Sequence, residues 1–339
     1  MEARFAARAR AWSVDEAAAL AAEVFGVEGT AQLLTSERDQ NFRIDTDDRA
    51  YVLKVTHPSE PADVTAFQTA VQVHAADRGA LIPRFHRARA GDWLATVDVG
   101  SGPQALRLID HIDGVPMAHT ARTAEQRRAL GAALAALDRT LADVEVPAPD
   151  LDILWNSERV DALAHLLPHI EDADARALVA RALEHHSTMA LPRQASLRRQ
   201  LIHNDANPSN VMMASDGTVA AILDFGDMLI APLAQEVAVA AAYLIERDGH
   251  QLAAPADLVA GFHAVLPLTD DELALLPHLM RARMLTTILI TEWRARAFPE
   301  NRAYILRNNP SAWAGLARLD GVGEDEALTV FRHRIEEDA

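Results

Sequence analysis

Residues 201–228 read LIHNDANPSNVMMASDGTVAAILDFGDM, and no other stretch constrains the fold as much. Two aspartates, Asp205 and Asp224, stand 19 residues apart within strand-like apolar runs. A carboxylate buried among apolar residues costs free energy unless a partner compensates it. LIHND, NVMMA and VAAILDF are short, apolar and bounded by turn residues, which predicts strands. ASDGT lies between the last two as a hairpin turn. That hairpin would carry Asp224 back beside Asn210, so one loop and one strand end must meet at a point.

The flanking sequence has two textures. Ser13 opens SVDEAAALAAEVFG as a helix N-cap and Gly26 closes it as a C-cap. AQLLT, NFRIDT and AYVLKVT then read as short strands, with DTDDRA as a hairpin turn. A helix is predicted from about Pro61 to Gly79. WLATVDVG and QALRLID form a second hairpin across GSGP. Beyond Gly114 the pattern turns helical, in TAEQRRALGAALAALDRTLADV, DADARALVARALEHHSTMAL, LAQEVAVAAAYLIERDG and DELALLPHLMRARMLTTILITEWRARAF. The expectation is an α+β, bilobal fold. A small antiparallel-sheet lobe takes residues 1–110 and a mostly helical lobe takes residues 111–339. A cleft between two such lobes is a common ligand site.

Composition narrows the classes of partner. Of 339 residues, 50% are hydrophobic, enough for a sizeable core. The formal net charge of −17 disfavours nucleic acid and anionic membranes, though plain solubility explains it equally well. There is no cysteine, which excludes disulfides, thiolate catalysis and cysteine-ligated metals. The 14 histidines form no H-x-x-H or H-E-x-x-H pair. No cationic, apolar leader opens the chain, and no uncharged apolar stretch approaches about 18 residues. The expectation is a cytoplasmic monomer or homodimer with no nucleic-acid or membrane partner.

His203-x-Asp205-x-x-x-x-Asn210 is followed, after the hairpin, by Asp224-Phe225-Gly226. Phosphoryl transfer uses these residue types in this order. One aspartate takes the proton of an attacking hydroxyl, while an asparagine and a second aspartate hold magnesium through oxygen. Turn residues and a helix cap are the alternative reading of the same three positions. Lys54 supplies an independent sign, because a strand lysine in YVLKV suits the α and β phosphates of a nucleotide. Upstream, TSERDQNF is a polar turn without glycines. It can cover phosphates with backbone N–H groups and the Ser36 hydroxyl.

This set resembles the aminoglycoside phosphotransferase and choline kinase superfamily, a group with a protein-kinase-like fold. SERDQNFRI, YVLKV, LDRTL, ILDFGDM, LVAGFHAVLPLTDDE and FPENRAYI are similar to its hydroxylysine kinase branch, and the likeness runs from about residue 30 to about residue 320. The resemblance implies that Lys54 binds nucleotide phosphates, Asp205 is the catalytic base, Asn210 and Asp224 hold Mg2+, and His203 braces the loop. It places the Asp110 carbonyl and the Ile112 N–H against the purine of ATP or GTP. Two positions depart from the pattern. Asn204 replaces a usual glycine, which its tolerance of left-handed backbone accommodates. Ala66 stands where an acidic partner of Lys54 is expected; Gln68 is the nearest polar residue, with Glu60 and Asp63 further upstream, so either Gln68, serving the nucleotide site, or another carboxylate holds Lys54. On the substrate side, Arg283 suits a carboxylate or a helix salt bridge, Asp227 an amine, the magnesium site or a plain loop acid, and Trp155 or Trp293 a pocket wall or the core. Glu236 joins the substrate side, ties the catalytic loop to the next helix, or is a solvated helix acid. The implied activity is phosphorylation of a hydroxyl on a small amine-bearing molecule. A hydroxylysine-like hydroxy-amino acid or amino alcohol comes first, an aminoglycoside or other antibiotic second, and an inactive nucleotide-binding scaffold third.

Overall fold

A computed structural model describes residues 10–36, 39–98, 102–149 and 153–338. Residues 37–38 of the TSERDQNF turn and 100–101 of the GSGP turn lie outside the described residues. The chain forms two compact units: Met1–Asp113 with Val144–Leu151, and Gly114–Asp143 with Asp152–Ala339.

In the first unit, helix α1 (Val14–Leu20) begins at Ser13 with a capping box. The Ser13 hydroxyl accepts from the Glu16 N–H, and the Glu16 carboxylate accepts from the Ser13 N–H. The helix continues through a π turn (Ala21–Phe25) and stops at Gly26, whose φ of 74° suits a residue without Cβ. Strands β1 (Thr30–Leu34), β2 (Gln40–Asp45) and β3 (Ala50–Val55) follow as the predicted meander. Helix α2 (Ala62–Asp77) precedes β4 (Phe85–His86), β5 (Ala95–Asp98) and β6 (Pro103–Asp110). The sheet order is β1-β2-β3-β6-β4, with β5 also on β6, and every pairing is antiparallel.

The two-residue period of the strands gives this sheet two different faces. Phe42, Ile44, Leu53, Val55, Leu106 and Leu108 point to one side and pack with Ala17, Leu20 and Phe25. The intervening Asn41, Lys54 and Arg107 point to the other. Lys54 lies directly opposite both Asn41 and Arg107. The apolar neighbours of Lys54 in YVLKV therefore belong to the far face.

The second unit opens with β7 (Val115–Pro116) and α3 (Ala124–Leu141). A 3-10 stretch (Ser157–His169), α4 (Ala173–His185) and α5 (Leu191–Gln194) follow. Four short strands come next: β8 (Arg199–Ile202), β9 (Val211–Met213), β10 (Val219–Ile222) and β11 (Leu229–Pro232). The remainder is helical: α6 (Leu233–Ala242), α7 (Ala253–Val265), α8 (Asp270–Ala297), α9 (Arg302–Ile305), α10 (Asn309–Arg318) and α11 (Glu324–Glu337). β9 and β10 form the predicted hairpin, closed where the Ala214 N–H donates to the Thr218 carbonyl at 2.9 Å. β8 stays apart from it and pairs with β11, while β7 extends the hairpin through β9. At four and two residues, β11 and β7 are too short to display a period.

By length and composition α8 could cross a membrane, yet 94% of its apolar window is buried inside the protein. It is the central helix of this unit, started by a Thr269–Glu272 capping box. α3 and α7 approach so closely that side chains are excluded at the crossing. A Cβ on Gly131 would lie 2.0 Å from the Leu258 carbonyl oxygen, and one on Gly261 2.1 Å from that of Arg128. Buried Asp257 on α7 binds Arg127 of α3 at 2.7 Å and Arg334 of α11 at 3.2 Å, fixing the same layer. Gly131→Ala should therefore destabilise the protein by about 3 kcal/mol, at the upper end of ordinary overpacking. Urea unfolding checks this, and an unchanged midpoint would refute the close crossing.

Candidate active site

Between β8 and β9 the chain makes a loop, residues 203–210, whose backbone is unusual at one end. Asn204 has φ +65°, so the asparagine in place of glycine does take the left-handed conformation. Each side of that residue is held. Its N–H donates to the Glu236 carboxylate at 2.7 Å, its amide oxygen accepts from Gln235 at 2.9 Å, and its amide nitrogen donates to the Asp227 carbonyl at 3.2 Å. Strained backbone of this kind persists only where its surroundings over-determine it.

His203 is fully buried, and burial pushes its pKa below the usual value, which favours the neutral ring. Its Nδ1 accepts from the Asp205 N–H at 3.2 Å, which leaves Nε2 to donate to the Leu223 carbonyl at 3.0 Å. Phe225 closes over the ring edge-on at 4.6 Å. One imidazole thus links the start of the loop to the end of β10. The Leu223 N–H also donates to the Asn210 carbonyl at 2.7 Å. Asp224, exposed and at φ +63°, follows immediately. The hairpin so returns it to the loop, as the 19-residue spacing predicts.

Asp205 sits at the centre. Its Oδ2 accepts from the Asn210 amide at 2.7 Å and its Oδ1 from Arg283 at 2.7 Å. Asn207 shapes the turn beneath it, donating to the Asp205 carbonyl and accepting from the Ser209 N–H at 2.9 Å. Burial raises the Asp205 pKa to about 6; Arg283 pulls against that rise and Asp224 adds to it. Two carboxylates that repel each other beside an amide oxygen form a hard-oxygen cradle suited to a divalent cation.

Arg283 projects from α8 and is 2% exposed. Beyond Asp205 it donates to the Tyr243 hydroxyl at 3.1 and 3.2 Å, and lies 5.2 Å from the centre of the half-buried Trp155 ring. Of the two readings open for Arg283, a substrate carboxylate or a salt bridge within the protein, the structure shows a salt bridge, with the guanidinium turned onto Asp205. Glu236 is likewise removed from the substrate side, because it is fully buried and supports Asn204 from behind. Burial raises the Glu236 pKa, and burial followed by the Glu236 charge raises that of Asp138. Asp138, Gln235, Asn207 and Tyr243 carry no motif signal. They join the site only through tertiary packing.

The residues assigned to the nucleotide stand in the first unit. Lys54 is the only lysine in the chain. Gln68 accepts from Arg107 at 3.5 Å, so its side chain serves that guanidinium. The Ser36 hydroxyl donates to the Asp39 carbonyl. Asp110 ends β6, donates its N–H to the Arg84 carbonyl at 2.9 Å and meets His86 Nε2 through its carboxylate at 2.7 Å. Ile112 follows two residues on.

Carboxyl 13C NMR should find Asp205 titrating near pH 6, with Asp205→Asn assigning the signal. Arg283→Met removes the cation that lowers this pKa, so the midpoint should rise by about one unit or more. An unperturbed midpoint near about 4 would contradict the burial of the carboxylate.

The phosphotransferase enzyme family model matches residues 30–276. A hydroxylysine kinase of Xenopus laevis is 26% identical over 348 residues, covering 95% of this chain and 93% of its own. A homoserine kinase of Xanthobacter autotrophicus is 29% identical, over 75% of this chain and 78% of its own. Two solved structures share the fold. A microcompartment-associated aminopropanol kinase has TM-score 0.67 at 18% identity, covering 94% of this chain and all of its own. An amicoumacin kinase in complex with AMP-PNP and Ca2+ has TM-score 0.68 at 14% identity, over 95% and 96% of the two chains. The matched span takes in Lys54, Asp205, Asn210 and Asp224 together, and the chain belongs to the phosphotransferase enzyme family.

Proposed function

We propose that this protein is a kinase that transfers the γ-phosphoryl group of ATP or GTP to a hydroxyl of a small amine-bearing molecule. A hydroxy-amino acid or amino alcohol of the hydroxylysine kind is the acceptor. The observation that carries the reading is Asp205. It is a carboxylate with a pKa of about 6, oriented at both oxygens. A general base works best when its pKa lies near the working pH. The substrate hydroxyl passes its proton to Asp205 while its oxygen bonds to the γ-phosphorus. The bond from that phosphorus to the β–γ bridging oxygen breaks, and the nucleoside diphosphate leaves with the electron pair.

Magnesium fits the donor set, with Asn210 and Asp224 as its holders. Among the described residues no group of three or more His, Cys, Asp or Glu could hold a metal unaided. Mg2+ is commonly held by one or two carboxylates together with water and substrate phosphates. When bound, it would neutralise charge on the transferred phosphoryl group. Lys54 takes the nucleotide phosphates, the Ser36 turn covers them, and the Asp110 carbonyl with the Ile112 N–H reads the purine. Trp155 and Asp227 stand on the substrate side. Arg283 sets the base.

The antibiotic reading has support from fold alone, whereas the hydroxylysine kinases match over nearly the whole chain. A panel of hydroxylysine, homoserine, aminopropanol and an aminoglycoside, each with ATP and with GTP, separates the readings. The highest kcat/KM should fall on one of the first three. Preference for the aminoglycoside would overturn the substrate class, and nucleotide binding without turnover would indicate a scaffold. Asp205→Asn should lower kcat by about 10²–10⁴-fold with the nucleotide still bound.

A further inference from the structure

The Arg283 guanidinium is committed to Asp205 and Tyr243, which leaves the carboxylate of a hydroxy-amino acid to be met elsewhere. A second arginine approaches the same aspartate. Arg307 lies on the 3-10 turn (Leu306–Asn308) between α9 and α10. Buried Asn309, the next residue, fixes that turn to α8. Its amide nitrogen donates to the Thr291 hydroxyl at 2.9 Å and to the Glu292 carboxylate at 3.2 Å. Thr291 stands two turns along α8 from Arg283, an axial rise of about 12 Å. The Arg307 charge accordingly reaches the loop. Burial raises the Asp205 pKa; Arg283, and more weakly Arg307, pull against that rise.

The Arg307 guanidinium is held on one side and open on the other. Its Nη1 donates to the Tyr304 carbonyl at 3.1 Å, and its plane lies over the Tyr304 ring at 3.9 Å. Stacking of this kind restrains a guanidinium without using its hydrogen-bond donors. Among the described residues no carboxylate pairs with it, although it is exposed. The free edge, Nε with Nη2, is the one that can grip a carboxylate through two parallel hydrogen bonds. Asp227, whose charge acts on Arg283, gives the same site an acid.

We propose that Arg307 binds the carboxylate of the acceptor and thereby selects a hydroxy-amino acid over the amino alcohol that lacks this group. The carboxylate takes the Nε–Nη2 edge while the acceptor hydroxyl stands against Asp205 and the ammonium against Asp227. An amino alcohol fills the other two positions and leaves the guanidinium without its anion. A site built to hydrogen-bond a substrate group discriminates strongly against the analogue without it. The inference rests on the proposed kinase reading of Asp205 and narrows its acceptor class.

Matched acceptors give the test. Homoserine and 3-aminopropan-1-ol differ only by the carboxylate, as do hydroxylysine and 1,5-diaminopentan-2-ol. The ratio of kcat/KM within a pair therefore reads that group alone. In the wild-type chain the ratio should favour the amino acid by about tenfold or more in at least one pair. Arg307→Met should lower that ratio by about tenfold or more, chiefly through the KM of the amino acid. Any effect of the lost charge on Asp205 falls on both acceptors and cancels in the ratio. Arg307 is exposed, so the variant is expected to fold, and circular dichroism checks that it does. A wild-type ratio near one in both pairs, or a ratio unmoved in Arg307→Met, would overturn the proposal. In either case continued phosphorylation of the amino alcohols would leave the kinase reading standing. Absence of turnover with all four compounds would instead remove that reading, and the proposal with it.

Discussion

Arg283 and Asp205 meet at 2.7 Å where the arginine is almost wholly buried. Neither charge is tolerable alone in that position. An unpaired buried cation is strongly destabilising, and an unpaired buried carboxylate takes up a proton. Together they leave an ionisable carboxylate whose direction is fixed. The pairing depends on α8 being the core helix of its unit, because only a rigid neighbour can hold a guanidinium still against a loop. It depends also on Glu236, which holds the Asn204 N–H and with it the left-handed residue that turns Asp205 toward the arginine.

A second layer supports the first. His203 ties the loop to β10, and the Leu223 N–H ties β10 to Asn210. Gln235 and Glu236, consecutive on α6, grip the side chain and the backbone of Asn204. The groups proposed to react are thus held by short strands and two helices, as preorganised chemistry requires.

The parts legible in the sequence are those with a local cause. The hairpin after Asn210 follows from ASDGT between two apolar runs, and Asn204 from its position in the loop motif. Ser13 and Gly26 bound the first helix through capping geometry alone. The illegible parts are long-range. Arg283 reaches Asp205 across 78 residues of sequence, and no pattern within α8 distinguishes it from an arginine in a surface salt bridge. Glu236 reads as a helix acid until packing buries it. Gln68 looked like the substitute partner of Lys54, but the register that sets Arg107 beside it belongs to strand pairing, which the sequence leaves open. β7 and β11 are too short for their periodicity to register.

A double-mutant cycle in kcat between Arg283 and Asp205 tests the central claim most directly. In the wild-type background Arg283→Met should lower kcat by about tenfold or more, because the base loses its orientation and its pKa rises. In the Asp205→Asn background the same substitution should change kcat by less than about threefold, since groups acting as a unit are strongly non-additive. Fully additive losses would contradict the account, and would return Arg283 to the substrate.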